Sequence, residues 1–112
     1  MRRIEQTNEL LKERLAYLIS REIPLDNGLI TIAYVECSPD LRSAKIVVSV
    51  LPANLAGTAL EKLRRNASMF SESLRKKTRL RQIPKFYWTI DATEKKAAEL
   101  EKIFKSIKNK NI

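Results

Sequence analysis

The sequence predicts a small α+β domain in which helices cover one face of a three-stranded sheet. Three observations indicate this fold class: an amphipathic N-terminal segment, two neighbouring β-rich runs, and a third β-rich run that follows a long helical stretch. A chain of 112 residues is long enough for one domain with a single core. Because a helical crossover joins the second and third predicted strands, we expect those two strands to be parallel.

The N-terminal half of the chain predicts one helix followed by a β-hairpin. Between residues 3 and 20, leucines and isoleucines recur with the 3.6-residue period of a single helix face. Residues 29–36 are rich in β-branched and aromatic side chains, and residues 42–51 alternate between apolar and polar positions. The turn signal Ser38-Pro39-Asp40 separates these two runs, so we expect an antiparallel pair with one buried face.

A long helical stretch follows the hairpin. Apolar residues recur at steps of three and four, so periodicity alone predicts one unbroken helix over residues 58–77. Thr58 and Glu61 have the spacing of a capping box at its start. Asn66 and Ser68, in its middle, both compete with the helical backbone for hydrogen bonds, which makes a bend there possible.

The C-terminal part of the chain predicts a third strand and a last helix. Residues 85–91 alternate, and Trp88 shares a face with Phe86 and Ile90, so we expect Trp88 to pack in the core. Tyr87 lies on the opposite face, where core packing and stacking on a base are both open. Residues 93–108 have the apolar stripe of an amphipathic helix, and the last residues read as a frayed end.

The distribution of charge is the strongest functional signal. The chain has 22 lysines and arginines against 13 acidic residues, which is a net charge of +9. Between residues 62 and 85 there are nine basic residues and one acid, Glu72. A basic patch of this kind is typical of a surface that binds a polyanion, so nucleic acid is favoured over a solvated surface without a partner.

Part of this basic run has a simpler explanation. The dipole of a helix stabilises cations at its C-terminal end, which accounts for the three cations at 75–77. Arg79 and Arg81 lie beyond the predicted helix, so its dipole does not account for them. We expect Leu80 and Ile83 to anchor this loop to the core while the two arginines point outward.

The residues needed for most kinds of catalysis are missing. There is no histidine, the glycines are isolated, and the acidic residues form no pair typical of an active site or a metal site. Cys37 is the one cysteine, and we expect a buried small residue, not a nucleophile. We therefore expect a cytoplasmic protein that is not an enzyme and has no cofactor, no metal, no disulfide and no membrane span.

Three stretches of the chain resemble the ribosome-binding factor A family. They are NELLKERLAYLISREI (residues 8–23), VECSPDLRSAKIVVSVL (residues 35–51) and TRLRQIPKFYWTID (residues 78–91). The resemblance covers the chain from residue 3 to its end. It implies a single type II KH-like domain, α-β-β-α-α-β with a three-stranded sheet, plus an additional C-terminal helix. Residues 1–92 would then be the KH-like RNA-binding domain, and residues 93–112 the amphipathic helix and frayed end.

The resemblance also implies a bent helical pair. In this family an Ala-x-Gly kink takes the place of the GxxG loop of typical KH domains, and here the matching positions are Asn66, Ala67 and Ser68. Neither the alanine nor the glycine of that motif is present. Ser68 has less conformational freedom than glycine, yet Asn66 and Ser68 keep hydrogen-bonding capacity. We therefore expect the helix to bend.

By resemblance, the protein is an assembly factor of the small ribosomal subunit. Family members bind the free 30S subunit, assist late maturation of 16S rRNA including its 5′ end, matter most in the cold, and have no catalytic centre. The implied partner is the 30S subunit and its 16S rRNA, and we expect a monomer. The RNA-facing surface would comprise Arg64, Arg65, Asn66, Ser68, Arg75, Lys76, Lys77, Arg79, Arg81 and Lys85.

Two other functions stay open at this point. A general nucleic-acid-binding protein, of the nucleoid or of mRNA, would carry the same basic patch and would show no preference for 30S particles. A protein-interaction module would use the amphipathic C-terminal helix to bind an acidic partner. Sensitivity of the association to ribonuclease distinguishes these functions better than its dependence on salt, because salt screens both kinds of contact.

Overall fold

A three-stranded sheet and the helices packed on one of its faces organise residues 3–91, the part of the chain that this computed structural model describes. The elements are α1 (Arg3–Glu22), β1 (Leu29–Cys37), β2 (Ser43–Leu51), α2 (Ala56–Arg65), α3 (Ala67–Lys77) and β3 (Lys85–Ile90), with one 3₁₀ turn, Ala53–Leu55, before α2. This order confirms the predicted α-β-β-α-α-β fold class. The predicted C-terminal helix and frayed end, residues 93–112, lie outside the described residues.

The sheet has the order β1-β2-β3, so β2 is its central strand. β1 and β2 are antiparallel, with the register running from Leu29 opposite Leu51 to Cys37 opposite Ala44. β2 and β3 are parallel, and Lys85 lies opposite Ser43. Both pairings confirm the prediction, which rested on a turn in the first case and on a helical crossover in the second.

The core lies between the sheet and the helices. Alternate residues of β2 are buried on the helix side, from Ala44 to Val50, as the alternation predicted. The helices cover that face with the fully buried side chains Leu11, Leu15, Leu63, Phe70 and Leu74. Burying such side chains stabilises the fold by about 1.5–3 kcal/mol each. The helices of residues 3–91 therefore lie on one side of the sheet only.

Polar contacts fix the first helix and the hairpin turn. The backbone N–H of Cys37 donates to Oδ1 of Asn8 at 2.9 Å, which ties α1 to the end of β1. Cys37 is buried, as expected, and burial raises the pKa of its thiol.

In the hairpin turn between β1 and β2, the Ser38 hydroxyl donates a hydrogen bond to the Asp40 carboxylate, and the backbone N–H of Arg42 donates another. Both bonds lower the pKa of the Asp40 carboxyl. The charged carboxylate therefore closes the turn, and this contribution to stability is lost as the pH falls through the lowered pKa.

The predicted start of the helical stretch was wrong. The first of its two helices begins at Ala56, two residues before the predicted Thr58, and it is preceded by Leu55, whose side chain makes no cap hydrogen bond. The expected capping box is therefore not formed. Glu61 instead forms an ion pair with Arg65 one turn further on. The 3₁₀ turn supplies the start of the helix, since the N–H of Ala56 bonds to the carbonyl of Ala53.

Gly28 is required by close packing, and Gly57 is not. A Cβ atom added at Gly28 would lie 2.7 Å from Leu55 Cδ1 and 2.9 Å from the backbone oxygen of Leu51, whereas one added at Gly57 would meet nothing within 4 Å. We predict that Gly28→Ala lowers the free energy of unfolding by about 1–3 kcal/mol through overpacking. Gly57→Ala, the matched control in an exposed helix, should raise it by about 0.5 kcal/mol. Urea unfolding of both variants measures the difference, and equal values would contradict the close approach.

Trp88 packs in the core, as the sequence predicted. Its ring lies 5.4 Å from that of Phe70 and 6.0 Å from that of Phe86, between centroids, and it is 5% exposed. We predict that Trp88→Ala costs about 3–5 kcal/mol of unfolding free energy, because it removes the largest side chain of this cluster. Chemical denaturation followed by circular dichroism measures the loss. An unfolding midpoint equal to that of the unaltered protein would contradict the core assignment.

Candidate nucleic-acid interface

The helical stretch breaks at a single residue, Asn66. Its backbone has φ −99° and ψ 13°, outside the helical range, and separates α2 from α3. The Asn66 side chain donates to the carbonyl of Lys62 at 2.8 Å, and its backbone N–H shares the carbonyls of Lys62 and Leu63. The prediction of one unbroken helix was wrong, and the predicted bend is confirmed. The physical reason is that the asparagine amide competes for a helical carbonyl, so no glycine is needed.

The break brings the end of one helix against the beginning of the next. Arg64 and Arg65 lie in the last turn of α2, and Ser68 lies in the first turn of α3. All three side chains are exposed, and Asn66 between them is half-buried. The predicted residues at the break therefore face solvent, and the hydrogen bonds of Asn66 hold the backbone that carries them.

An open groove runs between α3 and the edge strand β3. Three predicted residues line it together: Ser68 and Arg75 from α3, and Lys85 from β3. Prediction from the sequence missed the other four lining residues, which are Ala67, Ser71, the acidic Glu72 and Phe86. Ser71 follows Ser68 by three residues and precedes Arg75 by four, so a single stripe along the helix contains all three. That spacing could have identified Ser71 as a groove residue from the sequence. No pattern in the sequence could have identified Phe86, because it was expected to face the core.

The loop after α3 is held at both ends and exposed between them. The Thr78 hydroxyl donates to the carbonyl of Leu74 at 2.6 Å, and the N–H of Leu80 donates to the same hydroxyl at 3.3 Å. Leu80 and Ile83 are partly buried against the core, as predicted. Arg79 and Arg81 are both exposed, which confirms their predicted orientation. The loop thus presents two guanidinium groups on a backbone that the core anchors.

Most of the predicted cations form no ion pair with an acidic residue of the described part of the chain. Lys76 pairs with Glu72 at 3.3 Å, and Arg65 pairs with Glu61, both across one turn of exposed helix. Exposed pairs of this kind contribute less than about 1 kcal/mol, so a stronger anion displaces them easily. Within residues 3–91, the remaining predicted cations form no ion pair: Arg64, Arg75, Lys77, Arg79, Arg81 and Lys85. We call these six residues, with Asn66 and Ser68, the basic surface.

The part of the chain that the structure describes contains no cluster of three or more potential metal ligands. None of its helices is long and apolar enough to cross a membrane. What the basic surface offers chemically is the positive charge of six side chains and the hydroxyl of Ser68, and both kinds of group bind phosphate oxygens.

Comparison with known proteins agrees with this geometry. The family model described as ribosome-binding factor A matches residues 3–104. The chain belongs to the ribosome-binding factor A family. A ribosome-binding factor A from Thioalkalivibrio sulfidiphilus is 35% identical over 101 residues, covering 88% of this chain and 78% of that protein.

Two solved structures support the fold. The crystal structure of ribosome-binding factor A from Thermus thermophilus matches with a TM-score of 0.68 at 22% identity, covering 78% of this chain and 93% of that one. A homology model of the Thermus thermophilus factor, fitted into a cryo-EM map of its complex with the 30S subunit, matches with a TM-score of 0.65 at 23% identity, covering 73% and 88%. The KH-like fold is consistent with both. In this member of the ribosome-binding factor A family, the break between α2 and α3 forms at Asn66.

The exposure of Arg79 and Arg81 predicts that they do not stabilise the fold. The double variant Arg79→Glu/Arg81→Glu should change the free energy of unfolding by no more than about 0.5 kcal/mol per site. Leu80→Ala, the control between them, should cost about 1 kcal/mol or more, because it removes the anchor of the loop. Urea unfolding measures both variants. A large loss in the arginine variant would mean that the guanidinium groups hold the loop in place.

Proposed function

We propose that this protein binds the free 30S ribosomal subunit through the basic surface and assists late maturation of 16S rRNA, including its 5′ end. One observation carries the proposal: six cations without an acidic partner lie around the helix break, the α3–β3 groove and the loop that joins α3 to β3. Membership of the ribosome-binding factor A family supports the ribosome as the target, as does the fitting of a Thermus thermophilus relative into a 30S complex.

The chemistry of the basic surface suits a folded RNA. Arg75 and Lys85 lie on either side of the groove, so they can contact phosphates on both sides of a backbone that enters it. Arg79 and Arg81 extend the contact beyond the groove, and arginine binds phosphate with two parallel hydrogen bonds. Contacts of this kind recognise the shape of an RNA surface, and its sequence only indirectly. The protein would therefore select its RNA target by the shape of the rRNA surface on the 30S subunit, and not by a nucleotide sequence.

The anchored loop explains how such a surface binds without a large ordering cost. Leu80 and Ile83 pack against the core, so the intervening arginines are held in position before RNA arrives. Preorganised contacts lose less conformational entropy on binding. If about five phosphates are engaged, the logarithm of the affinity should fall with the logarithm of the salt concentration at a slope of about −3 to −5.

We further infer that the protein acts without a catalytic centre, as a monomer in the cytoplasm, and that it matters most at low temperature. Binding energy alone can favour the mature arrangement of an rRNA region over a trapped one. Misfolded RNA helices open more slowly in the cold, so a factor that acts only by binding is then needed most.

Sedimentation of the tagged protein in lysate from cold-grown cells tests the assignment. Migration with free 30S particles, and absence from 70S ribosomes and polysomes, is the expected result. Spreading over all ribosomal peaks, or retention on DNA after ribonuclease treatment, would instead support a general nucleic-acid-binding protein.

A charge-reversal variant tests the basic surface itself. Arg79→Glu/Arg81→Glu should weaken binding to purified 30S subunits at least tenfold, and should make the salt slope shallower by about two, because two phosphate contacts are lost. The control Arg14→Glu/Arg21→Glu, on α1, changes the net charge equally and should have a much smaller effect. Filtration binding at several salt concentrations measures both variants. Equal losses in the two would show that only total charge matters.

A further inference from the structure

The face of the sheet opposite the helices carries an unexplained set of side chains. Four of the five large apolar or aromatic side chains that are exposed in residues 3–91 lie there: Leu29, Tyr34, Leu51 and Tyr87. No helix of the described residues covers this face, since the core residues of β2 point the other way. We call it the open face. Its residues take no part in the basic surface except Lys85, which belongs to both.

The open face is not uniform along the strands. Leu29 and Leu51 lie opposite each other at one end. Tyr34, on β1, lies opposite Val47, and Tyr87, on β3, lies opposite Lys45. The tyrosines thus lie on the two outer strands, separated by β2 and displaced by two residues along it. From strand spacing and rise, that places them roughly 10 Å apart across the sheet and about 7 Å along it.

Val47, on the central strand, also belongs to the open face. It is buried, with an exposed fraction of 2%, although it lies on the face opposite the helices and outside the hydrophobic cluster that they cover. Its cross-strand neighbours are Tyr34 on one side and Thr89 on the other. Tyr34 and Tyr87 themselves remain about half-exposed on this face.

Two lysines accompany the tyrosines. Lys45 lies on β2 beside Tyr87, and the ammonium of Lys85 lies 5.5 Å from the centre of the Tyr87 ring. Glu36, opposite Lys45, is the one acid among the strand residues of this face. Aromatic rings flanked by cations are the arrangement with which sheet surfaces bind single-stranded RNA, the rings stacking on bases and the cations contacting phosphates.

We propose that the open face is a second RNA contact of this protein, on which unpaired nucleotides stack against Tyr34 and Tyr87. A base that stacks on Tyr87 displaces the ammonium of Lys85 from the ring, and Lys85 then contacts the phosphate of that nucleotide. Because Lys85 also lines the α3–β3 groove, one strand of RNA passes from the groove around the edge of β3 onto the open face. This inference rests on the proposed function and adds unpaired RNA as the ligand of a separate surface.

The composition of the open face favours RNA over a protein partner or a second copy of this chain. Thr31, Ser49 and Thr89 lie between the tyrosines and the two leucines, and the lysines lie at the other end of the face, so polar residues interrupt its apolar side chains. Apolar protein interfaces bury a contiguous patch at their centre. Stacking needs only isolated rings with polar surroundings, which is what β1, β2 and β3 present here.

Binding of a labelled 12-nucleotide oligouridine and of a 12-base-pair RNA duplex to the full chain tests this inference. Tyr34→Ala and Tyr87→Ala should each weaken binding of the oligouridine roughly tenfold, because each removes one stacking partner. Binding of the duplex, whose bases are not free to stack, should stay unchanged. Tyr34→Phe and Tyr87→Phe keep the ring and should bind the oligouridine as the unaltered protein does. Tyr17→Ala is the matched control, since Tyr17 is equally exposed but lies on α1.

Three outcomes would overturn the inference. The first is unchanged oligouridine binding in the Tyr34→Ala/Tyr87→Ala double variant, and the second is an equal loss in Tyr17→Ala. The third is a change from dimer to monomer in the double variant without RNA, which would assign the open face to a second copy of the chain. None of these depends on the 30S measurement with Arg79→Glu/Arg81→Glu, so the inference and the proposed function can fail separately.

Discussion

The parallel pairing of β2 with β3 is the constraint on which the rest of the structure depends. Two parallel neighbours cannot be joined by a tight turn, so the chain must cross over one face of the sheet between Leu51 and Lys85. That crossover contains α2, the break at Asn66, α3 and the basic loop, and hence all of the basic surface except Lys85, where β3 begins. The pairing begins at Ser43 and Lys85, and a hydrogen bond from Lys85 N–H to the Arg42 carbonyl, 2.9 Å long, precedes it. The register between β2 and β3 therefore fixes where the crossover begins and ends, and with it where the cations of the crossover lie.

Charge and apolar anchoring act together in this crossover. A run of cations without apolar anchors would be a flexible chain. Such a chain loses conformational entropy when it binds RNA, and this loss weakens the binding. Here Leu74, Leu80, Ile83 and the fully buried Pro84 hold the backbone against the core, and the intervening cations point outward. Packing of a few apolar residues thus turns a basic stretch into a surface of fixed shape.

Within residues 3–91, helices cover only one face of the sheet, so its two faces present different surfaces. The covered face contains Trp88 and the aromatic cluster that stabilises the domain. The open face contains Tyr87, the neighbouring residue in sequence, which is exposed because successive residues of a strand point to opposite sides. Trp88 and Tyr87 are therefore adjacent in sequence, but Trp88 packs in the core and Tyr87 is exposed on the opposite face. Lys85, at the start of the same strand, belongs to the surfaces on both sides of the sheet edge.

The sequence by itself determined the element order, the strand pairing and the outward orientation of Arg79 and Arg81, because hydrophobic period, turn residues and the crossover rule are local or nearly local signals. Charge and resemblance also pointed to ten candidate RNA-binding residues, eight of which make up the basic surface, and their role in RNA binding stays a prediction. Tertiary structure alone decided three things. It showed that Asn66 ends α2, since a continuous apolar stripe through Leu63 and Phe70 is compatible with both a straight and a broken helix. It brought Ser68, Arg75 and Lys85 into one groove. It placed Tyr34 and Tyr87 on the face that no helix of residues 3–91 covers, because which side of a sheet the helices cover depends on contacts between residues far apart in the chain.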